Sequence, residues 1–425
     1  MNKINLIEDF IFVANTIKST HPLAISGLPH DFNEYINTVA NEFYDKEGLL
    51  ISLSRFTALL HDGHTNIEIE YSLNDLCINL PCVWLQAGLF VTKNYFGILK
   101  GDRIISIANL TVTEVMDKLC EIIPHENNYL VKVRATTYPF INYHIFSEFI
   151  LRNINALNCN TVEITILRDN QLFKFNLTLE RYNGFLTFKN NKKFIDFWIH
   201  NNVAILKLDE CRYNDEYIKK LNEFFALVKA HNISSIIIDL RDNMGGNARV
   251  ATEFLRHINI ESYYFYGVKV RNSNENELNE INSENSQLKN ETDDNVRTFG
   301  GNIICLVANK TYSSARIFAT VLKDNNIATI VGEPTGGKPC SFGNPLRFET
   351  PNYKIKFRVS SRVFIRPDQA CQDDISLFPD VTIHITIEDI LHKNDAILNR
   401  AIMLCKNYFD DYILYCLGKG RRLDI

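Results

Sequence analysis

The chain has 425 residues, 46% of them hydrophobic and 22% charged, enough apolar material for a large core in two or three domains. A formal net charge of -5, with Lys and Arg scattered apart from a small cluster at 419–422, excludes a dedicated nucleic-acid binder. No apolar run is long enough to span a bilayer, Glu8 and Asp9 interrupt any signal-peptide core, and ten cysteines without a C-x-x-C pair read as reduced thiols of a cytoplasmic protein.

Leu6, Phe10, Val13 and Ile17 recur at three- and four-residue steps, as do Phe32, Tyr35, Ile36, Val39 and Phe43. This periodicity predicts helices between residues 5 and 60. The loop Leu60-His-Asp-Gly-His-Thr65 follows, and alternation over 66–71 predicts a strand exposed on one face. Residues 1–75 thus form an N-terminal helical region that carries a histidine motif. Residues 76–184 are rich in strand patterns, with a tight turn leading into a strand at 97–109, a helix at 112–123, and a hairpin within 161–180 around Asp169-Asn170. From 185 onward the order is strand (203–208), helix (217–230), strand (235–240), glycine turn, helix (248–257), then strand, helix and strand through Val331. Such alternation, with near-continuous apolar strands, predicts an α/β class fold whose sheet contains parallel strands covered by helices. Residues 272–297, crowded with Asn, Glu, Ser and Asp, break the pattern and predict a long mobile loop, either a lid or a plain surface insertion.

Four segments carry candidate chemistry. Thr311-Tyr-Ser-Ser-Ala-Arg316 follows an apolar strand and opens a helix. At such a turn the Ser313 hydroxyl stands among free helix N–H groups, whose dipole favours negative charge. The oxyanion formed when a serine attacks an amide carbonyl is such a charge. Thr311 or Ser313 also suits a plain N-cap, although Arg316 stands where a capping box wants Glu or Gln. The strand at 236–239 runs into Gly245-Gly246, whose N–H groups can approach a ligand closely; alone, this is also a tight strand-to-helix turn. Lys338, in the Gly- and Pro-rich turn 331–339, lies 25 residues beyond Ser313. A lysine acts as a base only where burial or charge lowers its pKa. His61-Asp-Gly-His64 sets two histidines about an acid, and histidine is the usual proton acceptor for serine near neutral pH. A structural loop histidine fits the same motif. No ligand spacing supports a zinc site.

Together and in this order, these segments resemble peptidase family S41, the family of tail-specific (C-terminal processing) proteases and of tricorn core protease, over nearly the whole chain. Asp239-Leu-Arg-Asp-Asn-Met-Gly-Gly246 is similar to its strand-to-glycine turn, Thr311 to Arg316 to its nucleophile segment, Val331-Gly-Glu-Pro-Thr-Gly-Gly337 to the next turn, and Phe378-Pro-Asp-Val381 to its Pro-Asp sequence. The resemblance implies a ClpP/crotonase-like catalytic domain over 185–425 and a partial PDZ-like segment within 76–184. It implies a serine-type peptidase acting on peptides or protein C-termini, with no metal or organic cofactor and no nucleic-acid partner; oligomeric state stays open. Ser313 would be the nucleophile, with the N–H of Ser314 and one from Gly245 or Gly246 as oxyanion hole. Two bases are offered. The tricorn-like branch uses an N-terminal histidine, matched by His64, with an acid matched by Asp373 or its neighbour Asp374. The processing branch uses a lysine, matched by Lys338. The helical start and the Asp-Gly-His-Thr motif favour the tricorn-like arrangement, which leaves Lys338 at the rim against a substrate carboxylate or without a chemical part. Tyr312 and Arg316 depart from the pattern, which has a small residue and an acid there. The same fold occurs in modules of interphotoreceptor retinoid-binding protein, so a non-catalytic carrier of apolar ligands, or a silent peptide-binding protein, is the alternative.

Overall fold

A computed structural model describes residues 3–29, 32, 34–36, 45–69, 75–137, 143–183, 193–271, 278–281, 287–289 and 299–416. At its centre is a six-stranded sheet in the order Ile195–His200, Val203–Leu208, Ser235–Asp239, Asn302–Val307, Thr329–Gly332, Val381–Thr382. The first pair is antiparallel and the rest are parallel. Parallel strands need crossovers, and the chain supplies helices for them. Asn214 caps the helix Asp215–Ala230 by accepting from Tyr217 N–H, and Asp215 and Glu216 favour its first turn. Ile236 and Ile238 face the core formed with the helices Asp215–Ala230, Arg249–Leu255 and Ser314–Asp324. Ile237 faces the opposite core, with Ile397 and Ala401 of the helix Ala396–Cys416. Burial on both faces explains why these strands read as unbroken apolar runs.

The strand-rich segment forms a second sheet, antiparallel throughout, from Cys82–Leu85 through Gly88–Val91, Arg103–Ile107 and Thr161–Arg168 to Gln171–Thr178. Its last hairpin turns at Asp169 and Asn170, both with positive φ (48° and 60°), as a two-residue turn of this hand requires. The helix Val112–Ile122, closed by a Thr111–Glu114 capping box, packs Val115 and Leu119 into the core of that sheet.

A third sheet positions the histidine motif. Asn66–Glu68 pairs with Lys356–Ile365, which also pairs with Ser341–Glu349 along its other edge and with Gly267–Arg271. The helices Lys3–Thr20 and Lys46–Ala58 cover it, with Leu6, Phe10 and Phe56 packed against Phe357 and Val359. The N-terminal helices thus share one core with the hairpin that follows Lys338. Within 272–297, Leu278–Ile281 pairs with Gly267–Arg271 and Gln287–Lys289 pairs with Ser262–Tyr264, so the stretch carries two short strands. The rest of that polar stretch, and positions 37–44 of the expected second helix, lie outside the described residues.

Candidate active site

Three neighbouring parallel strands end side by side, and each carboxyl end delivers one part of the site, the usual place for ligands in such sheets. Ser235–Asp239 leads to Gly245-Gly246, Asn302–Val307 to Ser313, and Thr329–Gly332 to Gly336-Gly337. The Ser313 turn is pinned on both sides. Thr311 Oγ1 donates to the Leu240 carbonyl at 2.9 Å, and Tyr312 N–H donates to the Asn243 carbonyl at 3.1 Å. Ser313 itself has φ 52° and ψ -125°, a conformation costly for a residue with a Cβ, and its side chain makes no cap hydrogen bond. The N-cap alternative for Ser313 therefore fails.

The Ser313 hydroxyl instead meets His64, with Oγ 3.0 Å from Nε2. The other ring nitrogen, Nδ1, lies 2.9 Å from the Tyr312 hydroxyl, 3.6 Å from Glu126 Oε1 and 3.7 Å from Asp62 Oδ1. Asp62 is fully buried. It accepts from the N–H groups of His64 and Thr65, from the hydroxyls of Thr65 and Ser360, and bonds His21 Nε2 at 3.1 Å. Burial alone would raise its pKa, but the hydrogen bonds and charge of His21 and His64 hold it well below the ordinary range. Burial likewise pushes His64 down, but Asp62 and Glu126 outweigh it and hold the imidazole above its ordinary value.

Gly245 and Gly246, both with positive φ (108° and 137°), pass close beneath the serine turn. The Gly245 N–H donates to Asn243 Oδ1 at 2.8 Å, so it is committed. Among the described residues no acceptor engages the N–H of Gly246 or Ser314. Asn243, fully buried, braces this turn through Leu208 and Tyr312.

The expected acid is not where the resemblance put it. Asp373 is exposed, and among the described residues no hydrogen bond or ion pair joins it to His64. Its loop is organised around Arg366, which donates to Asp374 Oδ2 at 2.7 Å, to the Cys371 carbonyl, and to Asp324 at 2.6 Å. The carboxylates beside the imidazole are Asp62 and Glu126. Lys338 is half-buried, and among the described residues no hydrogen bond joins it to Ser313; its charge faces His61, whose pKa is lowered by burial and by that charge. Sequence reasoning missed His21, Glu126 and Asn243. Asp62 was visible within its motif, and Tyr312 only as a departure. One ligand-type atom each of Asp62, His64 and Glu126 lies within 4.8 Å of the others, a spacing a metal could use. Those atoms are spent on protein hydrogen bonds and charge contacts, and the Arg316 guanidinium stands 3.9 Å from Glu126 Oε2, so the set does not suit a cation.

Residues 202–383 match the model of peptidase family S41. The fold is similar to that of mature CPAF complexed with lactacystin, with a TM-score of 0.69 at 12% identity, covering 96% of this chain and 99% of that one. It is also similar to a candidate peptidase from Parabacteroides merdae, with a TM-score of 0.52 at 17% identity and coverage of 94% and 96%. At these identities the likeness is one of fold.

Proposed function

We propose that the chain, whose residues 202–383 match the model of peptidase family S41, is a serine-type peptidase of that family, with Ser313 its nucleophile and His64 its general base. The observation that carries this reading is the 3.0 Å approach of His64 Nε2 to an uncapped, strained Ser313 hydroxyl. That distance is within reach of direct proton transfer.

In the proposed cycle Ser313 Oγ attacks the substrate carbonyl while its proton passes to His64 Nε2. The tetrahedral oxyanion is held by the N–H of Ser314 and of Gly246. Losing one such donor costs on the order of 3 kcal/mol in the barrier. His64 then returns the proton to the departing amine nitrogen, and the C–N bond breaks. Water, deprotonated by the same imidazole, hydrolyses the acyl ester and restores the Ser313 hydroxyl. The negative charges of Asp62 and Glu126 stabilise the imidazolium; Asp373 has no part. The substrate is a peptide or a protein segment. A Ser313–Lys338 pair is the rival arrangement, and among the described residues the hydrogen bond to Ser313 Oγ comes from His64.

A fluorophosphonate probe tests the assignment. Wild type labels at Ser313 and Ser313→Ala does not label. His64→Ala labels roughly 10³-fold more slowly, as loss of a base partner entails, while Lys338→Ala stays within a few fold of wild type. If Lys338→Ala abolishes labelling and His64→Ala leaves it nearly intact, lysine is the base.

A further inference from the structure

The partner of His64 Nδ1 is unusual for a hydrolytic histidine. Neither carboxylate is within hydrogen-bond distance of it, at 3.6 and 3.7 Å, whereas the Tyr312 phenol oxygen is, at 2.9 Å. The same phenol lies 2.9 Å from Glu126 Oε1. A carboxylate oxygen only accepts, so the phenol proton sits on the bond to Glu126. The phenol oxygen then has only lone pairs left for Nδ1, and Nδ1 must be the donor. That choice leaves Nε2 bare, and Nε2 is the atom facing the Ser313 hydroxyl.

We propose that Tyr312 and Glu126 form a two-residue positioning relay for His64, a phenol inserted between the imidazole and its acid. This rests on the assignment of His64 as base. During attack the proton leaves Ser313 Oγ for Nε2 and goes no further. Nδ1 keeps its own proton on the phenol, the phenol keeps its proton on Glu126, and the positive charge of the ring is offset by Glu126 and Asp62.

The surroundings are shaped for this relay. A Cβ on Gly63 would stand 2.6 Å from the Tyr312 hydroxyl oxygen, and one on Gly337 would stand 2.1 Å from Glu126 Oε2 and 2.8 Å from Tyr312 Cε2. Either would displace the pair. Gly63 N–H also donates to Glu126 Oε1 at 3.4 Å, and Arg134 donates to the Gly63 carbonyl at 2.6 Å, fixing the loop around the carboxylate. Glu126 Oε2 is buried with no hydrogen-bond partner among the described residues, and Arg316 supplies opposite charge at 3.9 Å. The Tyr312 and His64 rings lie 4.8 Å apart at 20°. Because Tyr312 directly precedes the nucleophile, the turn that strains Ser313 also aims the phenol. A small residue at 312 would leave Nδ1 without a partner at hydrogen-bond distance.

The charged and titratable groups around His64 are Asp62 with His21 behind it, Glu126 with Arg316 behind it, Tyr312, Arg134 on the Gly63 carbonyl, and Lys338 and His61 toward the rim. Tyr312→Phe and Glu126→Gln keep shape and remove one link each. The full chain of each variant is labelled with the fluorophosphonate probe, and the rate at Ser313 is followed from pH 5 to 9. Tyr312→Phe lowers the plateau rate roughly 10²- to 10³-fold, as a mispositioned or wrong-tautomer imidazole does. Both variants move the acid limb to lower pH, because each weakens what holds the imidazolium. A plateau within threefold of wild type for both variants overturns the relay. So does a loss of rate with the acid limb unmoved, which marks damage to packing alone. In either case Ser313→Ala and His64→Ala still fail to label normally, so the base assignment survives. A His64→Ala protein that labels at the wild-type rate sinks that assignment and the relay with it.

Discussion

Gly245 leaves no room beside Ser313: a Cβ on Gly245 would stand 2.6 Å from the Ser313 Cβ and 3.0 Å from the Ser314 nitrogen. Gly245 also holds φ at 108°, where a side chain is strained regardless of space. Gly245→Ala is therefore expected to push the nucleophile out of line while the rest of the sheet stays folded. A displacement near 1 Å at a reacting group costs about 10²-fold in rate. Fluorophosphonate labelling of Gly245→Ala should fall by at least that much, with far-ultraviolet circular dichroism unchanged. A variant that labels like wild type would show that the close approach carries no consequence for Ser313.

His21 and Asp62 are both fully buried and meet at 3.1 Å beneath the histidine motif. Removing one partner of a buried pair leaves the other charge uncompensated, at a cost of about 3 kcal/mol. His21→Phe keeps a ring against Phe342, now 4.6 Å away between centroids, and removes the Asp62 contact together with the Nδ1 atom that accepts from Leu23 N–H at 3.1 Å. The sign of the pH effect follows from Asp62, whose folded pKa lies well below the ordinary 3.8. Its contribution to stability is present above 3.8 and is lost as pH falls through the folded value. His21→Phe brings the folded value back toward 3.8. Urea unfolding at pH 7 should show the loss, and the gap to wild type should narrow as the medium is acidified below 3.8. An unchanged urea midpoint at pH 7 would remove His21 from the support of the site.

Much of the fold was legible because its signals are local. The apolar runs at 203–208 and 235–240 became central strands, and Asp169-Asn170 marked a hairpin without reference to anything distant. Ser313, His64 and the two glycines were legible as motifs. What escaped was long-range. Glu126 reaches Tyr312 across 186 positions and His21 reaches Asp62 across 41, and nothing in either neighbourhood announces it. Asp373 misled for the opposite reason. Its sequence position suits an acid, but Arg366 draws its neighbour Asp374 and the distant, buried Asp324 into a separate cluster. Local pattern cannot show which of several carboxylates a guanidinium will claim.

Burial pushes His257 down to about 4 and His144 down to about 3 from an ordinary 6.5. Both rings stay neutral in the folded chain while the unfolded chain takes up protons. Stability is thus full above 6.5 and declines as pH falls toward 4, by about 1.4 kcal/mol per pH unit for each histidine. His257 lies flat against Phe225, 4.4 Å between centroids at 4°. His257→Phe preserves that stack and removes one titration. Unfolding free energy of the variant between pH 6.5 and 4.5 should decline less steeply than that of wild type, by one proton. Parallel slopes for the two proteins would mean that His257 is protonated in the native state.

Arg316 stands where the family pattern has an acid, and its surroundings show why an acid would fail here. The side chain is 1% exposed and donates to the Lys338 carbonyl and to Ser341 Oγ, the latter at 2.7 Å. It ties the start of the helix Ser314–Asp324 to the turn after Gly337 and faces Glu126 at 3.9 Å. Arg316→Glu sets two carboxylates together in a dry pocket and removes both donors, so at least about 3 kcal/mol of stability should be lost. Arg316→Lys keeps the charge but cannot span both acceptors, and about 1–2 kcal/mol is the expected loss. The order wild type, Arg316→Lys, Arg316→Glu in melting temperature checks the reasoning. If Arg316→Glu melts with wild type, the guanidinium does not hold this corner, and Glu126 must be stabilised by Arg134 instead.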